Sequence, residues 1–233
     1  MGLLVKPDGL SSEFIRRGEG ATDFARIETG LRRVNILTSG EQMTAFEDGE
    51  TWRRGGGETF VADATIELTG GSEAIRHVIG KALVSFATPL DSKLGIWLRR
   101  RSFLAKSGVA VPFLYSGLDA IIFEEFIDRP LGTDDLLDPN MLDQIGKIGA
   151  RLDFNGFPTL SFLSDLRTKD RRIYYVDFGF DLGEPGGVCT DRARATIEKS
   201  IPASHVELCL TSYNANLLEL KGAEGNCLDL PPE

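Results

Sequence analysis

Arg172-Ile173-Tyr174-Tyr175-Val176-Asp177-Phe178-Gly179 is an apolar strand that stops abruptly in Asp-Phe-Gly. Ile, Tyr, Tyr and Val in succession favour extended backbone, and the Asp and Gly that follow favour a turn. A carboxylate at the end of such a strand has two readings: a ligand for a cation, or ordinary turn chemistry. The sequence on either side bears on the choice.

Working upstream, Arg167 to Arg171 read as the connection of a hairpin whose first strand is expected over Phe162-Leu163-Ser164. Before it a helix is expected from Asp138, with Pro139 in its first turn and Leu142, Ile145, Ile148, Gly149 and Leu152 on its apolar face. That helix should end near Asn155-Gly156. Ala120 to Ile127 reads as an apolar strand, and Leu94, Trp97, Leu98, Arg101 and Leu104 follow a helical repeat that stops at Ser107-Gly108. Strands are expected at Val34-Asn35-Ile36-Leu37-Thr38, at Thr59 to Leu68 and at Ile75 to Phe86. Downstream of Gly179 the chain has room for one or two helices and a polar tail, Asp229-Leu230-Pro231-Pro232-Glu233.

The order of elements predicts an α+β fold. Its parts are an N-terminal extension over 1–32, a β-rich lobe with one helix over 33–127 and a compact helical lobe over 128–233.

Composition narrows the function. With 42% hydrophobic and 26% charged residues, 233 residues can bury a core and remain soluble. A net charge of −9 argues against a phosphate-backbone binder, so nucleic acid is excluded as a partner. The apolar runs are too short for a membrane span and the N-terminus lacks a secretory h-region, which predicts a cytoplasmic protein. Cys189, Cys209 and Cys227 lack CxxC spacing and read as buried or incidental thiols. His77 and His205 read as structural, leaving a histidine-dependent hydrolase without an obvious base.

The chain resembles the kinase-like superfamily, in particular small bacterial aminoglycoside phosphotransferases and the Kdo/lipopolysaccharide kinase group, over roughly residues 59–184. The resemblance is carried by Asp177-Phe178-Gly179, by Lys81 in the strand Val78-Ile79-Gly80-Lys81-Ala82-Leu83-Val84, and by the helix and strand between them. It implies a two-lobed kinase-like fold, with Asp177 as a Mg²⁺ ligand and Lys81 as a contact to ATP phosphates. Ile121 to Leu131 resembles the strand and hinge that receive an adenine ring, with Glu125 and Ile127 as the residues beside it.

Three positions depart from the family pattern. The helix after Pro89 has no Glu to pair with Lys81, so Asp91 or Glu73 substitutes or Lys81 is held in another way. Carrying the catalytic-loop register forward from Asn155-Gly156-Phe157 puts Ser161 where an Asp is expected and Leu166 where a metal-binding Asn is expected. Asp165 then becomes the second metal ligand or the base, and Asp165 or Asp153 the group that positions the acceptor hydroxyl.

Asp177, Asp181 and Glu184 cluster after the strand, which suits a cation or a solvated turn. Gly55-Gly56-Gly57 is either a flexible hairpin connection or a phosphate lid.

The resemblance implies a Mg-ATP-dependent phosphotransferase acting on a hydroxyl of a small molecule or an unconventional protein, or nucleotidyl transfer on the same scaffold. The alternative is a pseudokinase that senses nucleotide or contacts a protein partner. A third reading is an acidic interaction domain without kinase ancestry.

Overall fold

The computed structural model describes residues 2–5, 15–18, 24–48, 53–54, 59–83, 90–118, 121–127, 129–157, 159, 162–178 and 189–224. The fold is α+β, in two compact units: Met1–Leu98 with Pro112–Phe126, and Arg99–Val111 with Ile127–Glu233.

In the first unit, β1 (Gly2–Val5) and β2 (Ile15–Gly18) pair antiparallel and precede α1 (Phe24–Arg33). A six-stranded sheet follows, built from β3 (Gln42–Asp48), β4 (Arg53–Arg54), β5 (Thr59–Thr69), β6 (Ile75–Leu83), β7 (Leu114–Leu118) and β8 (Ile121–Glu125). Its order is β3-β5-β6-β8-β7, with β4 on β5, and every pair is antiparallel. Between β6 and β7 in sequence runs α2 (Leu90–Lys106), which straddles the two units. It ends at Gly108, whose φ of 79° is a left-handed conformation that costs glycine little.

Alternation along the strands puts Ala64, Ile66, Leu68, Val78 and Phe123 on one face, where they pack with Met43. Leu31, Val34, Ile36 and Leu37 complete this core. Residues 34–38 are therefore no strand: they form turns after α1, with Asn35 at φ 58°. Three apolar residues in five suit either conformation, and here burial of Val34, Ile36 and Leu37 selects the turn. Leu31 also ties α1 to the sheet, so this part of the expected N-terminal extension packs with the β-rich unit.

A buried ion pair fastens the turn. Arg76 of β6 donates to both carboxylate oxygens of Glu41 at 2.7 and 3.0 Å, to the Ile36 carbonyl and to Glu73 at 3.0 Å. Its guanidinium also lies 5.4 Å from the centre of the Tyr115 ring. Glu41 accepts a further bond from the Thr38 amide at 2.8 Å.

The second unit contains β9 (Arg129–Pro130), a 3-10 turn (Asp135–Leu137), α3 (Pro139–Phe154), β10 (Leu166–Lys169), β11 (Arg172–Tyr175), α4 (Arg192–Ser200) and α5 (Val206–Glu224). The α3 boundaries follow the sequence signals: Asp138 caps the Asn140 amide at 2.8 Å, Pro139 occupies the first turn, and Gly156 adopts φ 67° after the last. Met141, Leu142, Ile145, Ile148 and Leu152 form its buried stripe. Gly146 lets α5 approach closely, because a Cβ there would lie 2.5 Å from the Cys209 carbonyl oxygen.

The hairpin exists, but its first strand is Leu166–Lys169, with Asp170 and Arg171 at φ 50° and 60° in the two-residue connection. Phe162 is instead part of a turn and fully buried. Cys209 is a buried free thiol as expected, whereas Cys189 is disulfide-bonded, which corrects the expectation there. Cys227 lies outside the described residues.

Candidate functional site

In the first unit the expected phosphate contact, Lys81, lies on β6. In the β6–β8 ladder Lys81 faces Ile122 and Ile79 faces Glu124, so the period of two puts Lys81 and Glu124 on one face, diagonal to each other. That face is opposite the one carrying Val78 and Phe123. Lys81 Nζ is ion-paired with Glu124 Oε1, and the two side chains are 13% and 1% exposed. An ammonium and a carboxylate this deep are sustained by each other, since either alone would be a buried uncompensated charge.

The sequence offered Asp91 or Glu73 as partner. Glu73 is instead bonded to Arg76, and the side chain of Asp91 lies outside the described residues. The signal for Glu124 was present: a carboxylate two residues from Ile122 on one face of an apolar strand, where acidic side chains are rarely buried unless paired.

Glu125 ends β8, and its amide donates to the Phe113 carbonyl at 2.8 Å. The Phe126 amide donates to the His77 carbonyl at 3.0 Å. Both amides are thus engaged within the protein. Ile127 is buried, 4% exposed.

In the second unit the expected ligands Asp165 and Asp177 lie before β10 and after β11. The Tyr175 amide donates to the Ala110 carbonyl at 2.9 Å, and the Val176 amide to the Asp165 carbonyl at 3.0 Å, which fixes the chain just ahead of Asp177. The Tyr175 phenol donates to Asp165 Oδ2 at 3.2 Å. Burial pushes that phenol well above the usual tyrosine range, and the negative charges of Asp165 and Asp177 add to the effect. The structure therefore brings Asp165 to this hydroxyl, two residues ahead of Asp177 in the chain. Phe178 stacks edge-on against Tyr175 at 5.9 Å and is fully buried.

Leu166, the position strict register assigned to a metal ligand, is fully buried on β10, while Asp165 beside it is half-buried. Gly179, Asp181, Glu184, Ser161 and the Gly55-Gly56-Gly57 loop lie outside the described residues.

Asp153 has a different role. It is fully buried at the end of α3, and its carboxylate accepts from Thr190 Oγ1 at 2.8 Å, the Ala193 amide at 3.1 Å, the Arg194 amide at 3.0 Å and Tyr213 Oη at 2.8 Å. Asp191, at the start of α4, makes no side-chain cap. Asp153 caps that helix from another one, and these four donors hold it away from the acceptor-positioning role expected of it.

Mg²⁺ is bound through one or two carboxylates together with water and phosphate oxygens, and Asp165 and Asp177 are carboxylates of the type such a site would draw on. Among the described residues no group of three or more His, Cys, Asp or Glu side chains could hold a metal. A cation at this pair would thus draw further oxygens from a ligand or solvent. Among the described residues no helix is long and apolar enough to cross a membrane.

No family model and no curated protein matches the chain. Solved structures do. A macrolide 2′-phosphotransferase from Brachybacterium faecium is 13% identical, with 73% of this chain and 77% of that one covered at a TM-score of 0.47. A protein assigned as a fructosamine-3-kinase, from Thermobifida fusca, is 14% identical, with 85% and 86% covered at a TM-score of 0.46.

Proposed function

We propose that the chain is a Mg-ATP-dependent phosphotransferase acting on a hydroxyl of a small molecule or an unconventional protein acceptor. The observation that carries this reading is Asp165 bonded to the Tyr175 phenol at the end of β11, with Asp177 two residues further along the chain. Bound Mg-ATP would supply the phosphoryl group and neutralise its charge. Asp177 and Asp165 would hold the cation, and Lys81 would contact phosphate oxygens. Asp165 would also accept or orient the acceptor proton, since Asp153 is taken up by α4 and α5.

That double duty of Asp165 favours the second reading, a pseudokinase that binds nucleotide without transferring phosphate.

Thermal unfolding of wild type and Asp177→Ala with ATP and Mg²⁺ tests the nucleotide site. A ligand at about 100 times its dissociation constant stabilises by roughly 2.7 kcal/mol. A Mg-dependent rise in the wild type that is lost in the variant is expected, and no rise in either protein removes the reading. Release of ADP that requires Asp165 separates the enzyme from the pseudokinase.

A further inference from the structure

We infer that Glu124 is a positioning residue of the nucleotide site, holding Lys81 from a neighbouring strand. The inference rests on the nucleotide-binding reading above and extends it to a residue that reading does not use.

Two observations carry it. Glu124 is ion-paired with Lys81, and the two side chains are 1% and 13% exposed. Sheet register places them diagonal to each other on one face of the β6–β8 ladder.

The origin of the carboxylate matters physically. β6 and β8 are joined by ladder hydrogen bonds from Val78 and Glu125 to Ala82 and Ile121, so the backbone positions of Lys81 and Glu124 are set by sheet register. A pair made within one sheet does not depend on the position of a neighbouring helix. Lys81 is then directed before an anionic ligand arrives, which lowers the ordering cost of binding phosphate. A carboxylate on a helix could be withdrawn as the helix moves, whereas the backbone of Glu124 cannot move away from that of Lys81 without breaking the ladder.

The test is a double-mutant cycle on Mg-ATP affinity, measured by calorimetry on the full chain for wild type, Lys81→Met, Glu124→Gln and the double variant, with unfolding temperature recorded for each. If Glu124 acts through Lys81, Glu124→Gln weakens binding by about tenfold in the wild-type background and leaves it unchanged in Lys81→Met. Glu124→Asp, which keeps the charge, recovers part of the affinity and guards against loss of fold in the Gln variant. A purely structural pair would lower the unfolding temperature without this coupling in affinity.

Two results overturn the inference. If Glu124→Gln binds Mg-ATP as wild type does while Lys81→Met does not, Glu124 has no positioning role and the nucleotide reading stands. If wild type itself does not bind Mg-ATP, the nucleotide reading fails and this inference with it.

Discussion

Tyr213 Oη of α5 donates to Asp153 Oδ2 of α3 at 2.8 Å, and the same carboxylate receives the Ala193 and Arg194 amides at the start of α4. One buried acid thereby joins three helices. Replacing it with Asn substitutes an amide that cannot accept from all of these donors, while the donors stay buried. Asp153→Asn is expected to cost about 3 kcal/mol, within the range for removing one partner of a buried charged network. Urea unfolding measures it, and a loss below about 1 kcal/mol, the worth of one ordinary hydrogen bond, would contradict the role assigned here.

Acid stability should depend on Glu41. Its hydrogen bonds to Arg76 lower its carboxyl from 4.5 to about 2. A carboxyl that is more acidic when folded stabilises fully above its unfolded value, near 4.5, and loses that contribution as pH falls through about 2. Unfolding temperature should therefore drop over that window. In Glu41→Gln the slope should flatten, with a cost at neutral pH of about 3 kcal/mol because Arg76 loses its buried carboxylate and keeps only the more exposed Glu73 as a charged partner. An unchanged acid slope in the variant would show that other groups set it.

Alkaline behaviour should follow the buried phenols. Burial pushes Tyr115 up to about 12 and also raises Tyr175 and Tyr213, the latter two further beside carboxylates. A phenol whose folded value is raised contributes stability that is complete below its unfolded value, about 10, and that is lost as pH rises. Tyrosinate absorbance from these three should appear together with loss of tertiary structure. Smooth titration of all three in the folded protein would refute this.

Two helical glycines should respond in opposite directions. A Cβ at Gly146 meets backbone atoms, Cys209 O at 2.5 Å and Tyr213 N at 2.9 Å, so α3 and α5 must separate to admit it. Gly146→Ala should destabilise by about 1–3 kcal/mol. At exposed Gly95 in α2 a Cβ meets nothing within 4 Å, and Gly95→Ala should stabilise by about 0.5–1 kcal/mol. Denaturant midpoints of the two variants provide the comparison.

Much of the chain could be read directly from the residues. The ends of α2 and α3 were marked by Gly108 and Gly156, because a left-handed residue after a helix is a local demand that glycine meets in sequence. The strands around Lys81 and Glu124 were readable because alternation has a period that no partner is needed to reveal. Asp177 stood out for the same local reason, as a carboxylate ending an apolar strand.

What could not be read were the choices that depend on a partner distant in sequence. Val34 to Thr38 became turns because α1 and the sheet offered their apolar residues a core. Asp153 became a helix cap because α4, some forty residues later, returns its amides to it. Lys81 found Glu124 because ladder pairing brings β8 beside β6 across the whole of α2. Period, caps and turn chemistry act within a few residues and are written in the sequence, whereas the partner of a buried charge is selected by desolvation once the elements pack, and that selection belongs to the folded chain.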